Sequence, residues 1–161
     1  MAAKDLTGAE LLDLLAELDA ELDTPVSILI AGGAALAIRW GVRRTSDIDA
    51  VSDDLTPEVR RAVARVGERR GVGADWLNDG AKGFAPRLPA ASQPAFIGNR
   101  LSVYSPSAEY ILAMKLVSGR DDDMGDIRFL MGETGLSHGT SCCGWCRTRT
   151  RISGFRYLSS I

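Results

Sequence analysis

Val26-Ser27-Ile28-Leu29-Ile30-Ala31-Gly32-Gly33, then a short apolar run to Trp40, then Arg43-Arg44-Thr45-Ser46-Asp47-Ile48-Asp49-Ala50-Val51, is the stretch that decides the fold. The run 26–31 follows Pro25 and reads as a buried strand, which Gly32-Gly33 breaks. Residues 34–40 read as a short helix and 47–51 as a second short strand. Side chains alternate faces along a strand, so residues two apart share one. Asp47 and Asp49 therefore project together, while Ile48 can enter the core.

Outward from that stretch, Leu11, Leu14, Leu15, Leu18 and Leu22 recur at helical spacing over 7–22, and Thr7 with Glu10 has the pattern of a capping box. Thr56-Pro57 opens another helix, with Val59, Ala62, Val63 and Val66 as its apolar stripe. Residues 72–77 read as a third strand and 78–94 as loop. Ala95-Phe96-Ile97 and Leu101-Ser102-Val103-Tyr104 flank Gly98-Asn99-Arg100, a hairpin signal. Ser105-Pro106 is expected to cap a helix running to about 117, and a last helix is expected from Asp122 or Asp123 to Gly132. Strands mixed with helices imply an α/β (α+β) fold, a small mixed sheet flanked by helices.

The 161 residues suggest one domain. A net charge of -2 and a pI near 5.4 argue against a general nucleic-acid coat, though a local basic patch remains open. The chain has no apolar run of membrane-spanning length, and acids appear too early for a secretory signal, so a cytoplasmic protein without a membrane partner is expected. The core is expected over 1–136. Residues 137–161 form an atypical basic tail holding Cys142, Cys143, Cys146, the lone His138 and four arginines, with no acid after Glu133. A shifted reading frame is favoured over a genuine basic tail. Cys143-x-x-Cys146 is half of a zinc site without a second pair, so zinc is not expected.

Two carboxylates held side by side repel each other unless a cation lies between them. Mg²⁺ favours one or two carboxylates together with substrate phosphate oxygens. Asp47 and Asp49 are thus candidate metal ligands, with Asp75 as candidate third carboxylate; Asp79 or an acid within 121–126 are its alternatives. Gly32 and Gly33 permit positive φ and close approach of a ligand, and N–H groups at a helix start favour phosphate. Thr45 or Ser46 can add a hydroxyl there; Arg44, and less firmly Arg43, can neutralise charge. The plainer alternatives are a solvated turn for Asp-x-Asp and a solvated helix face for Arg61, Arg65 and Arg69, against an RNA backbone track. Trp40 and Trp76 are expected in the core.

The Gly-Gly turn followed by an acid-x-acid pair on the next strand resembles the polymerase-β-like nucleotidyltransferase superfamily. The short helix between them is similar to the small bacterial branch that includes AbiEii-type and MenT-type toxins. Their Gly-Ser-x-Asp-x-Asp corresponds to Arg44-Thr45-Ser46-Asp47-Ile48-Asp49, with Arg44 in place of glycine and Thr45 in place of serine. The segment Lys115-Leu-Val-Ser-Gly-Arg120-Asp-Asp-Asp123-Met-Gly-Asp126 is similar to that branch's lysine followed by an Arg- and Asp-rich run. The resemblance implies Mg²⁺ on Asp47 and Asp49, an NTP as substrate, Lys115 on nucleotide phosphate, and Asp123 or Asp126 completing the site. It also implies transfer of a nucleoside monophosphate to an acceptor hydroxyl: an RNA 3′ end such as that of tRNA, a protein, or a small molecule. A toxin paired with an antitoxin protein is the first expectation. An inactive relative that acts by binding, or an aminoglycoside-type adenylyltransferase, are the alternatives.

Overall fold

The computed structural model describes residues 4–51, 55–80 and 92–136. Helix α1 (Gly8–Glu21) starts with the expected capping box: Thr7 Oγ1 accepts from Glu10 N at 3.3 Å, and Glu10 Oε2 accepts from Thr7 N at 2.8 Å. Its leucines at 11, 14, 15 and 18 are buried. Strand β1 (Val26–Ala31) runs into α2 (Gly32–Trp40), which ends at Gly41 with φ 65°. Strand β2 (Ile48–Ala50) and helix α3 (Pro57–Arg70) follow, the helix capped by Thr56.

The third strand is shorter and later than expected. It is β3, Leu77–Asn78 only, because α3 ends at left-handed Gly71 and Trp76 N donates to Gly73 O in a turn at 3.2 Å. Trp76 is buried in that turn and donates its indole N–H to Val63 O at 2.9 Å. Trp40 is half-buried, edge-on to Phe129 with ring centroids 5.9 Å apart. Strands β4 (Gln93–Ile97) and β5 (Leu101–Ser105) form the expected hairpin. Helix α4 (Ala108–Ser118) is capped by Ser107 rather than by Ser105-Pro106, since proline at 106 leaves the next hydroxyl to take Tyr110 N. A 3-10 turn (Asp121–Asp123) leads into α5 (Met124–Glu133).

The five strands lie in the order β3-β2-β1-β5-β4. β1 is central, antiparallel to β2 and parallel to β5; β2 and β3 are parallel. One apolar cluster gathers residues from α1, α2, α3, α4, α5 and the sheet. Asp19 fastens α1 to the β4–β5 turn, accepting from the backbone N–H groups of Asn99, Arg100 and Leu101 at 2.7–3.0 Å.

The arginines of α3 are engaged by acidic side chains. Arg65 and Arg69 bind Glu21, Arg69 and Arg70 reach Glu17, and Arg61 pairs with Glu58 within the helix. The stripe at Arg61, Arg65 and Arg69 is therefore mostly an exposed clasp between α3 and α1. No helix among the described residues is long and apolar enough to cross a membrane. The tail with Cys142, Cys143, Cys146 and His138 lies outside the described residues.

Candidate active site

The register of β1 on β2 builds the centre of the site. Ala31 pairs with Asp49, so the turn into α2 lies alongside that carboxylate. Gly32 has φ 62°, a conformation glycine adopts without steric cost. A Cβ on Gly32 would lie 3.5 Å from Asp49 Oδ2; one on Gly33 would lie 3.2 Å from both the Arg43 guanidinium and Thr45 Oγ1. The two glycines keep the start of α2 open toward the acid pair, and no side chain caps that helix start.

Ile48 and Ala50 are fully buried while Asp47 and Asp49 are half-buried, so the two carboxylates share the outer face of β2. Burial, and then the charge of Asp47, push the Asp49 carboxyl above the usual range, with Arg120 acting in the opposite sense. Asn78, paired with Asp49 across β3, donates Nδ2 to Asp47 Oδ2 at 3.3 Å and accepts from Gly80 N at 2.8 Å. Thr45 Oγ1 and Ser46 Oγ approach Asp47 Oδ1 at 3.5 and 3.4 Å.

A second polar group comes from α4 and α5. Lys115 is only 6% exposed, although a lysine on such a helix usually points to solvent. Its Nζ lies 2.6 Å from Asp123 Oδ1 and 2.7 Å from Asp126 Oδ2. Arg43 Nη1 reaches the same Asp126 oxygen at 2.5 Å, and Ser118 Oγ donates to Asp123 Oδ2 at 3.0 Å. Burial would raise the Asp123 carboxyl, but the Lys115 ammonium and Ser118 hydroxyl hold it below the usual range. Arg43 thus joins the group to the glycine turn: one side packs on Gly33 and the other binds Asp126.

Residues 9–134 match the family described as nucleotidyltransferase of unknown function (DUF6036). The chain belongs to this nucleotidyltransferase family. No curated protein and no solved structure matches it.

Within this nucleotidyltransferase-family chain, Gly32, Gly33, Thr45, Ser46, Asp47 and Asp49 come together, as do Lys115, Asp123 and Asp126. Arg44 turns away toward α1, donating to Asp5 O at 2.8 Å and pairing with Glu10 at 3.3 Å. Its place is taken by Arg43, because the chain after Gly41 alternates and Thr45 is already bridged to Leu6. Asp75 is exposed in the turn before β3. It lines a hollow of about 130 Å³ with Ser46 and Asp47, but it forms no three-carboxylate cluster with Asp47 and Asp49. A larger hollow of about 630 Å³ lies between α1 and the end of α2, away from the acid pair. Sequence reasoning missed Asn78, which becomes visible only once the β2–β3 register is known.

The donor set fits Mg²⁺. Among the described residues no three His, Cys, Asp or Glu side chains form a ready-made cage. Two half-buried carboxylates facing one open side suit an ion whose remaining ligands come from water and substrate phosphate.

Proposed function

We propose that this protein is an Mg²⁺-dependent nucleotidyltransferase: an acceptor hydroxyl attacks the α-phosphate of an NTP, the bond to the β-phosphate breaks, the nucleoside monophosphate is transferred and pyrophosphate leaves. The observation that carries the reading is the Gly32–Asp49 juxtaposition: an open glycine turn at a helix start, 3.5 Å from a carboxylate whose partner two residues away shares its face. Asp47 and Asp49 hold the metal, which when bound supplies activation of the acceptor hydroxyl and charge neutralisation on the triphosphate. Gly32, Gly33, Thr45 and Ser46 cradle the phosphates with backbone N–H and hydroxyl donors. Lys115, oriented by Asp123 and Asp126, adds positive potential toward the charge that develops on the leaving group. Asn78 holds Asp47 in place.

Resemblance of the Lys115–Asp126 segment to the toxin branch supports an RNA acceptor, tRNA first, and a neighbouring antitoxin as partner. The chemistry is tested by incubating the protein with Mg²⁺, each NTP in labelled form and total tRNA, beside Asp47→Ala/Asp49→Ala. Label on RNA or protein that the double variant loses supports the reading; no transfer from any NTP to any acceptor sinks it. Growth arrest on expression, abolished by Asp49→Ala, separates a toxin from a small-molecule adenylyltransferase. A second reading, a binding protein without catalysis, is favoured by the neutral amide of Asn78 across from Asp49, where the wider superfamily usually carries a third carboxylate on a later strand. It predicts NTP binding without transfer.

A further inference from the structure

We infer that Arg43 is a positioning residue that acts through Lys115: it is the standing counter-ion of Asp126, and so leaves the Lys115 ammonium free to turn from its carboxylates to a substrate anion. The inference deepens the nucleotidyltransferase reading above and rests on it, including the part given there to Lys115.

Lys115 is committed to two partners at once. Its Nζ meets Asp123 Oδ1 at 2.6 Å and Asp126 Oδ2 at 2.7 Å, largely out of water. An ammonium that leaves two such carboxylates strands both, and an uncompensated buried charge is costly. Each carboxylate, however, has a second donor. Ser118 Oγ donates to Asp123 Oδ2 at 3.0 Å. Arg43 Nη1 donates, at 2.5 Å, to the same Asp126 oxygen that Lys115 contacts. One oxygen thus serves two cations from two parts of the chain, and it keeps one when the other departs.

Arg43 is held in this place independently of Lys115. Its Nε donates to Arg44 O at 3.2 Å. Its guanidinium lies over Gly33, where a Cβ would come within 3.2 Å of Cζ and Nε. A guanidinium is planar and always charged, so a bond at Nε fixes the direction of Nη1. The neighbouring arginines are engaged elsewhere: Arg39 donates to Pro106 O and Gln93 Oε1, and Arg44 to Asp5 O and Glu10. Arg43 is also not the sole attachment of α5 to the end of α2. Trp40 Nε1 donates to Glu133 Oε2 at 3.0 Å, and the Trp40 ring meets Phe129 edge-on. These contacts keep α5 docked when Arg43 is replaced, so the change falls on the polar group rather than on the packing.

The test compares full-length wild type, Arg43→Met, Arg43→Lys, Lys115→Gln and Arg43→Met/Lys115→Gln, with a thermal melt giving the folded fraction of each. Both kcat and KM are measured for the NTP that wild type uses, with Mg²⁺ and the acceptor that it labels. Arg43→Met is expected to lower kcat per folded molecule by about tenfold to hundredfold, the worth of one charge-assisted hydrogen bond. KM for the NTP should stay within about twofold, since Lys115 acts on charge that develops in the transition state. Arg43→Lys keeps a cation at Asp126 and should recover part of kcat. In the Lys115→Gln background Arg43→Met should change kcat little, because its effect runs through the ammonium. Unaltered kcat per folded molecule, a raised KM in place of a lowered kcat, or losses that multiply in the double variant overturn the assignment. Should Lys115→Gln not fold, Arg43→Lys decides: no recovery over Arg43→Met overturns it. A wild type that transfers from no NTP overturns the nucleotidyltransferase reading and this role with it, a result distinct from a defect confined to the variants.

Discussion

Asn78 stands directly across from Asp49 in the β2–β3 register, yet it gives its amide hydrogen to Asp47, 3.3 Å away. The acid pair is thus braced by a neutral neighbour on the next strand. Asn78→Ala should weaken Mg²⁺-dependent NTP binding by about tenfold, the usual cost of losing a group that orients a metal ligand. Asn78→Asp adds a third negative charge to the face. It should lower the melting temperature without divalent ions and regain it when Mg²⁺ is added. Melting curves with and without Mg²⁺ check this, and an Asn78→Asp protein insensitive to the ion contradicts the metal site proposed for Asp47 and Asp49.

The raised Asp49 carboxyl makes a pH prediction with a definite sign. The folded protein keeps its proton to higher pH than the unfolded chain does, so the fold binds more protons in that interval. Stability from this group is greatest at low pH and falls as pH rises through the folded value. Asp49→Asn should remove that fall, so the variant gains stability relative to wild type as pH goes from below the aspartate range to neutrality. The gain at neutral pH should be about 1 kcal/mol or less, with transfer activity abolished. Urea midpoints at a series of pH values measure the difference; a gap that does not widen with pH refutes the account.

Lys115 is the keystone of the α4–α5 group. Lys115→Met leaves Asp123 and Asp126 facing each other with only Arg43 to compensate, and should cost about 3 kcal/mol. Lys115→Met/Asp123→Asn removes one of the stranded charges and should recover part of that. Urea unfolding of the single and double variants gives the coupling directly. Additive losses would show that the two groups do not act together.

Asp19 supports the fold far from the chemistry. Burial alone would raise its carboxyl, but the backbone N–H groups of Arg100, Asn99 and Leu101 outweigh it and hold the group below the usual range. The stability it contributes is present above the ordinary aspartate range and is lost as pH falls through the lowered folded value. Asp19→Ala should cost about 2 to 3 kcal/mol, since it leaves several donors without a partner. Gly98 belongs to the same contact: a Cβ there would lie 2.3 Å from Asp19 Oδ1, so Gly98→Ala should disturb the hairpin as well. Chemical denaturation of both variants decides the matter, and a loss near zero for Asp19→Ala would show that water replaces the carboxylate.

Much of the fold could be read in advance because its signals are local. Thr7 and Glu10 mark the start of α1, Thr56-Pro57 that of α3, and alternation around Gly98-Asn99-Arg100 marks the hairpin. The strand expected over 72–77 failed because β-type residues there are overruled by the turn that buries Trp76. In the site, Gly32, Gly33, Asp47 and Asp49 were legible since strand alternation alone puts the acids on one face. Whether Arg43 or Arg44 enters the site was not, because it depends on the bridge between Leu6 and Thr45, a contact across the chain. The burial of Lys115 was equally hidden: its acidic partners follow on a separate element, and only the packing of α4 on α5 brings them to it.

The central place of β1 has a consequence for how the molecule comes into being. On one side it meets β2, reached through the short α2; on the other it meets β5, paired through Val26 with Leu101 and Leu29 with Tyr104. The glycine turn and the acid pair belong to the first, local unit, whereas Lys115, Asp123 and Asp126 follow the second. Their junction, Arg43 to Asp126, forms across the β1–β5 pairing, the most distant in sequence among the described strands. Such non-local pairings are the slow steps of folding. The two halves of the candidate site are therefore expected to meet only as the fold completes, so a nascent chain carries its acid pair well before the two halves are joined.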